Sequence, residues 1–134
     1  MVILVVAASS TSEAMRSMVA EGFSSRGAHI HTTVLGETQE DNDLDNTLSC
    51  SLDPAADLIV YLASDITFSD AGGPQLRQVA AWAATRCIPV IALAHHTHIS
   101  TRELRTVGVE AGYEITCDLD VAQIAQTWVW PSDP

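Results

Sequence analysis

Two short apolar runs separated by an amphipathic segment form the clearest pattern in the chain. Residues 57–63 and residues 88–94 have the length and continuous hydrophobicity of buried strands. Between them a helix is predicted from Pro74 to about Arg86, because apolar residues recur there at helical spacing. The positions on this apolar stripe are Leu76, Val79, Ala80, Ala83 and Cys87. A strand, a helix and a second strand in this order predict a βαβ unit and therefore a parallel sheet.

The rest of the chain repeats the alternation of strands and helices. Residues 2–8 and 28–35 are predicted strands, and the helix between them has Gly27 as its stop signal. Two segments, 10–13 and 100–103, have a hydroxyl residue followed three positions later by glutamate, which is the spacing of a capping box at a helix start. A brief strand at 113–116 and a last helix at 118–130 complete the pattern.

Five strands alternating with four helices predict a three-layer α/β sandwich around a parallel sheet. With right-handed crossovers, the expected strand order is 2-1-3-4-5, which is Rossmann-like or flavodoxin-like. The 134 residues are predicted to form a single domain. In this topology the loops after the first and third strands flank the switch point, where ligands usually bind.

Residues 37–56 differ from the rest of the chain, because they contain six carboxylates and no basic residue. No strand or helix periodicity is sustained there, so we predict an acidic linker inside the domain. Closely spaced carboxylates could instead bind a divalent cation, although the ligand order and turn glycine of an EF-hand are absent.

Charge excludes several functions. The formal net charge is −11 and the chain contains no lysine, so neither nucleic acid nor an anionic membrane is an expected partner. A P-loop lysine and a Schiff-base lysine are also excluded.

No apolar run could span a membrane and no signal peptide is recognisable, so the expected location is the cytoplasm. The three cysteines have no paired spacing and are predicted to be buried free thiols.

Polar residues and glycines follow the strands that flank the expected switch point. Two helix N-termini there could bind a small anion through backbone N–H groups, and two aspartates lie in the loop between the third strand and the helix that follows it. The predicted ligand-binding residues are Ser9, Ser10, Thr11, Ser12, Ser64, Asp65, Asp70, Gly72 and Gly73. The alternative is that the serines cap helices, the glycines form turns and the aspartates cap a helix or face solvent.

Histidines leave the end of the fourth strand at positions 95, 96 and 98. In an extended chain, His96 and His98 point the same way and could share a metal ion, with Asp65 as a third ligand. The sequence requires no cofactor and assigns no catalytic residue. His29 and His31 lie together on one face of the second strand, where they are expected to be structural or solvated.

Taken together, these segments resemble the type I glycerate kinases. Residues 7–12 and 34–40 occupy the positions of two motifs at the ends of that family's first two strands. Residues 57–64, the helix start at Gly73 and the strand at 89–94 resemble its later segments. Residues 104–115, with Gly108 and Tyr113, resemble the pattern that closes the sequences of that family.

The resemblance implies a Rossmann-like domain alone, in which the acidic linker stands where those kinases insert a second domain. It also implies lost chemistry. Ser9 and either Thr11 or Ser12 replace the Asp and Lys of the first motif, and Pro74 replaces a lysine. Phosphoryl transfer depends on such positioned cations.

The leading hypothesis is therefore a reduced glycerate-kinase-like domain without autonomous kinase activity that could still bind a small anion. One alternative is a metal-assisted hydrolase that uses His96, His98 and Asp65. The other is a protein-interaction module without a ligand site. A partner subunit or a second copy could contact the domain through its tryptophans, Trp82, Trp128 and Trp130.

Overall fold

The computed structural model describes residues 2–8, 11–25, 27, 29–34, 57–66, 74–97, 100–106 and 108–128. Five strands alternate with four helices in this part of the chain. The elements are β1 (Val2–Ala7), α1 (Glu13–Ser24), β2 (His29–Val34), β3 (Leu58–Ile66), α2 (Pro74–Ala84), β4 (Val90–Thr97), α3 (Thr101–Thr106), β5 (Ala111–Glu114) and α4 (Asp118–Trp128).

The strands form one sheet in the order β2-β1-β3-β4-β5, and every neighbouring pair is parallel. This confirms the predicted three-layer architecture and strand order. The central strands are continuous apolar runs because helices cover them on both faces. β1, for example, buries Ile3 through Ala7 completely.

Each face of the sheet has its own hydrophobic core. Side chains of α1 and α4, including Phe23 and Val121, pack with Ile3 and Val5 of β1 on one face. Side chains of α2 and α3, including Leu104, pack with the intervening β1 residues on the other face. Helices on both sides of a parallel sheet are the arrangement that right-handed crossovers require.

Trp82 lies inside the α2 face of the core, where its side chain is 7% exposed. The Arg86 guanidinium lies 4.0 Å from the centre of the indole ring. Trp82 does not belong to the apolar stripe of α2, yet it is buried, and the long arginine side chain covers the face of its ring.

Two of the helix starts show how local sequence sets the boundaries. The cap of α1 is Ser12, whose Oγ accepts a hydrogen bond from the Met15 N–H at 3.1 Å. The predicted box at 10–13 was thus displaced by two residues. For α3 the prediction is confirmed, because Ser100 Oγ accepts the Glu103 N–H at 3.2 Å.

Boundaries also shifted at the strand ends. β3 continues to Ile66 and β4 to Thr97, three residues beyond the apolar runs that predicted them. β5 begins two residues earlier than expected, at Ala111. Hydrogen bonding to a neighbouring strand, which the hydrophobic pattern does not encode, determines where these strands end.

The predicted acidic linker at 37–56 lies outside the described residues. Within the described part, no helix is long and apolar enough to cross a membrane.

The helices α2 and α3 end in the same hydrogen-bonded turn. After α2, the Ile88 N–H donates to Ala83 O at 3.0 Å and the Cys87 N–H donates to Ala84 O at 3.2 Å. This is a Schellman motif, whose second-last residue adopts a left-handed conformation. After α3 that residue is Gly108, with φ +95°, whereas after α2 it is Cys87, with φ 57°. Cys87 and Cys117 are exposed, so the prediction that these thiols are buried was wrong.

Replacing Cys87 by glycine is expected to raise the free energy of unfolding by about 0.5–1 kcal/mol. A residue other than glycine is strained in the left-handed conformation by about 1–2 kcal/mol, and glycine removes this strain. Part of the gain is offset because glycine loses more backbone entropy on folding than other residues. Urea denaturation measures the change. Gly108→Ala is the matched control and should destabilise the protein. A Cβ at position 108 would lie 3.5 Å from the Ala80 Cβ, an ordinary contact distance, so the destabilisation comes from the left-handed backbone and not from a clash. A less stable Cys87→Gly protein would contradict the assignment of strain.

Candidate functional site

The switch point of the sheet lies where β1 ends beside β3, which continues four residues beyond Leu62 to Ile66. The Ala8 N–H donates to Leu62 O at 2.8 Å and extends the pairing of these strands by one residue. The side chains described at this point include Ala7, Ala8, Leu62 and Ala63, and all four are buried. The part of the expected ligand site that these four residues form is therefore apolar.

The turn between β1 and α1 is held by its own hydroxyl groups. Thr11 is buried, and its Oγ1 donates to Ala8 O at 2.7 Å while its N–H bonds the same carbonyl at 3.0 Å. Arg16 Nη1 donates to Thr11 O at 2.8 Å from the first turn of α1. Since Ser12 caps the helix, both described hydroxyls of the predicted anion site have structural partners. Anion binding at these residues stays a prediction, and Ser9 and Ser10 lie outside the described residues.

The second half of the predicted ligand site, residues 64–73, lies only partly within the described residues. The main chain of Ser64 and Asp65 continues β3, so these residues belong to a strand and not to the loop that was expected. Asp65 is the register neighbour of His96 on β4. Asp70, Gly72, Gly73 and His98 lie outside the described residues.

The carboxyl end of β4 is tied to β5 through side chains. His95 Nδ1 lies 3.2 Å from Ile115 O, and the Thr97 N–H donates to Glu114 Oε1 at 3.1 Å. His95 and His96 are both exposed. Among the described residues, no group of three or more potential ligands could hold a metal ion within one chain. Metal binding by His96 and His98 stays a prediction.

Sequence reasoning missed Glu114 and Asp120, which organise this edge of the sheet. Asp120 accepts hydrogen bonds from the Thr116 N–H at 2.8 Å and from Thr116 Oγ1 at 2.9 Å, and so fastens the start of α4 to the end of β5. The hydrogen bonds from the Thr116 main chain and hydroxyl lower the pKa of Asp120 below its usual value. The sequence does contain a signal for this contact, because an aspartate lies two residues after the helix start and a threonine precedes the helix.

This lowered pKa predicts a pH dependence of stability. The folded state favours the charged carboxylate, so Asp120 contributes stability above the ordinary aspartate pKa of about 3.9, and that contribution is lost as the pH falls through the lowered value. The stability advantage of wild type over Asp120→Asn should therefore be constant from pH 7 to about pH 5 and shrink in stronger acid. Denaturation at a series of pH values measures it. An advantage that grows in acid would contradict the assignment.

Of the other predicted contact residues, Trp128 is half-buried. Its Nε1 donates to the Tyr113 hydroxyl at 2.9 Å, which joins the end of α4 to β5. Since Trp82 is buried and Trp130 lies outside the described residues, a contact surface formed by all three tryptophans is not seen. A partner or second copy bound through these residues stays a prediction.

Comparison with known proteins identifies the fold and no family. No protein-family model and no curated protein matches the chain. Among solved structures, it is similar to an atypical orphan response regulator described as having a phosphorylation-independent regulatory mechanism, with a TM-score of 0.60 and 13% identity over 99% of this chain and 100% of that one.

Two further response regulators are similar. One, from Burkholderia multivorans, has a TM-score of 0.57 and 18% identity over 100% of both chains. The other acts in red light signaling of R. palustris and has a TM-score of 0.60 and 14% identity over 98% of this chain and 95% of that one. At these identities the similarity establishes the flavodoxin-like α/β fold.

The resemblance to glycerate kinases was wrong. Three solved structures that the chain matches over nearly their whole length are response regulators, and neither the kinase hypothesis nor its two alternatives, the metal-assisted hydrolase and the interaction module without a ligand site, agrees with them. The error has a physical cause, because alternating apolar strands and amphipathic helices are common to all doubly wound α/β domains.

Proposed function

We propose that this chain is a response-regulator-like signalling domain whose state does not depend on a phosphoryl group at the switch point. The observation that carries the proposal is the apolar switch point of a response-regulator-like fold. Ala7 and Ala8 at the end of β1 lie beside Leu62 and Ala63 of β3, all four side chains are buried, and β3 continues through Asp65 to Ile66.

The chemistry of phosphoryl transfer explains why these residues matter. A phosphoryl acceptor must be a nucleophile such as a carboxylate or a hydroxyl, and the transferred group needs cations around it. Alanine and leucine side chains supply neither. The hydroxyls of Thr11 and Ser12 are engaged with Ala8 O and the Met15 N–H. No lysine anywhere in the chain could supply a cation.

The structural neighbours support the signalling class. Three response regulators match over 95–100% of their own length, and one of them is described as regulated independently of phosphorylation. A domain of this kind acts by binding other macromolecules in one of its states rather than by turning over a substrate. Its activity then depends on exposed surface and not on a nucleophile at the strand ends.

Gene replacement in the organism that encodes the chain tests the proposal. Asp65 and Asp70 are the carboxylates nearest in sequence to the end of β3, so an Asp65→Asn/Asp70→Asn double variant removes the remaining candidate acceptors there. We expect deletion of the gene to change the transcript profile and the double variant to retain the wild-type profile at equal protein level.

Two outcomes count against the proposal. If the double variant reproduces the deletion profile while the protein stays folded and abundant, a carboxylate at this edge sets the state of the domain. If deletion leaves the transcript profile unchanged across growth conditions, the signalling class itself is refuted. Immunoblotting and circular dichroism of the purified variant separate loss of function from loss of protein.

A further inference from the structure

Among the described residues, β2 forms an edge of the sheet that is built differently from the interior. β2 pairs only with β1 and is the outermost strand of the described sheet. Its sequence, HIHTTV, contains no charged residue, proline or glycine. These are the devices that normally protect an exposed edge from pairing with another chain. β2 is therefore suited to accept a further strand.

One face of β2 presents two imidazoles. His29 and His31 are register partners of Val2 and Leu4, so they lie on the sheet face that α2 and α3 cover farther along. Leu4 is fully buried, whereas His29 and His31 are exposed. On the opposite face, Ile30 packs against the core beneath α1. The histidine face thus lies open where the neighbouring strand is already covered.

We propose that His29 and His31 form half of a zinc site that a second copy of this chain completes. Residues two apart on a strand project from the same face, about 6.6–6.8 Å apart along it. Imidazole nitrogens are preferred ligands of Zn²⁺, which binds four ligands tetrahedrally at about 2.0–2.1 Å from each nitrogen. Two histidines leave two coordination positions, so the site is incomplete in one chain.

Strand pairing between two copies supplies the missing ligands. If two β2 edges pair antiparallel about a two-fold axis, with His29 opposite His31 of the other copy, all four imidazoles lie on one face. Directly opposite residues in such a pair are about 4.5–5.5 Å apart, close enough for the four rings to surround one ion. The free N–H and C=O groups of both edges are satisfied by the same pairing.

Charge explains why the ion is needed for the pairing. Each chain carries a formal charge of −11, so two copies repel each other. A divalent cation between neutral imidazoles reduces that repulsion at the contact. Dimerisation is therefore expected to depend on Zn²⁺ and to reverse when a chelator removes it.

The test is Zn²⁺ titration of the chelator-treated full chain, followed by calorimetry and by light scattering on a sizing column. We expect one Zn²⁺ for two chains and a monomer-to-dimer transition that EDTA reverses. His29→Ala and His31→Ala should each weaken Zn²⁺ binding at least tenfold and leave the monomer folded by circular dichroism. Thr32→Ala, an exposed change on the same strand, should bind Zn²⁺ like wild type.

Each other result overturns the inference. Zn²⁺ binding that survives both β2 substitutions places the ion elsewhere. One Zn²⁺ on a monomer refutes the shared site. A dimer that forms equally in EDTA shows that the edge pairs without metal. Substituting Co²⁺ gives an independent reading, because tetrahedral nitrogen ligation produces visible absorption that both β2 variants should lose.

Discussion

Replacing Phe23 by alanine is expected to lower the free energy of unfolding by about 3–5 kcal/mol. Phe23 lies on α1 and is completely buried, and its ring fills the space between that helix and the sheet. Removing it forfeits burial of the ring and leaves a cavity that the central strands cannot collapse to fill. A domain of this size has about 5–15 kcal/mol of stability in total, so the loss should be visible as partial unfolding at growth temperature.

Urea denaturation followed by circular dichroism measures this effect. Glu21→Ala is the matched control, since Glu21 is exposed on the same helix and should change stability by less than about 0.5 kcal/mol. A loss below 1 kcal/mol for Phe23→Ala would show that α1 does not pack on the sheet as described.

Replacing Gly22 by alanine is expected to destabilise the protein by about 1–2 kcal/mol, although alanine is the better helix former. α1 crosses α4 at this glycine. A Cβ at position 22 would overlap Cγ1 of Val121 and lie 3.1 Å from its Cβ. Valine has little rotamer freedom in a helix, so it cannot turn away cheaply. The helices must then separate, and the core beneath them loses contacts.

A double-mutant cycle identifies the cause. In a Val121→Ala background the overlap is gone, so Gly22→Ala should become stabilising by up to about 1 kcal/mol through helix propensity alone. Ser17→Ala, at an exposed position of α1, controls for the propensity gain. If Gly22→Ala is destabilising to the same extent in both backgrounds, Val121 is not the obstacle.

The architecture could be predicted because burial on both faces leaves a clear trace in sequence. The continuous apolar runs of β1, β3 and β4 and the helical stripe of α2 were sufficient to predict the order β2-β1-β3-β4-β5. Local boundaries were less predictable. Ser10 and Ser12 are equally good caps in isolation, and only the buried hydrogen bond from Thr11 to Ala8 determines that the helix starts after Ser12.

The site could not be predicted to the same degree. Hydroxyls near a strand end suggest anion binding, but the sequence does not show that Thr11 and Ser12 already have partners within the turn. Likewise, the short loop residues that suggested a kinase are compatible with any doubly wound domain. The sequence contains the alanines and the leucine of the switch point, but it does not show that they are neighbours. That follows from the strand register, which places Ala7 beside Leu62.

The claim that this domain works without phosphorylation is tested most directly by intact-mass spectrometry after incubation with acetyl phosphate and Mg²⁺. Small acyl phosphates transfer their phosphoryl group to a competent aspartate without a kinase, so the experiment needs no partner protein. The account predicts that the mass of the chain is unchanged and that its hydrogen-exchange pattern is the same with and without the donor. A stoichiometric, acid-stable but hydroxylamine-labile phosphoryl adduct, absent from Asp65→Asn, would contradict it.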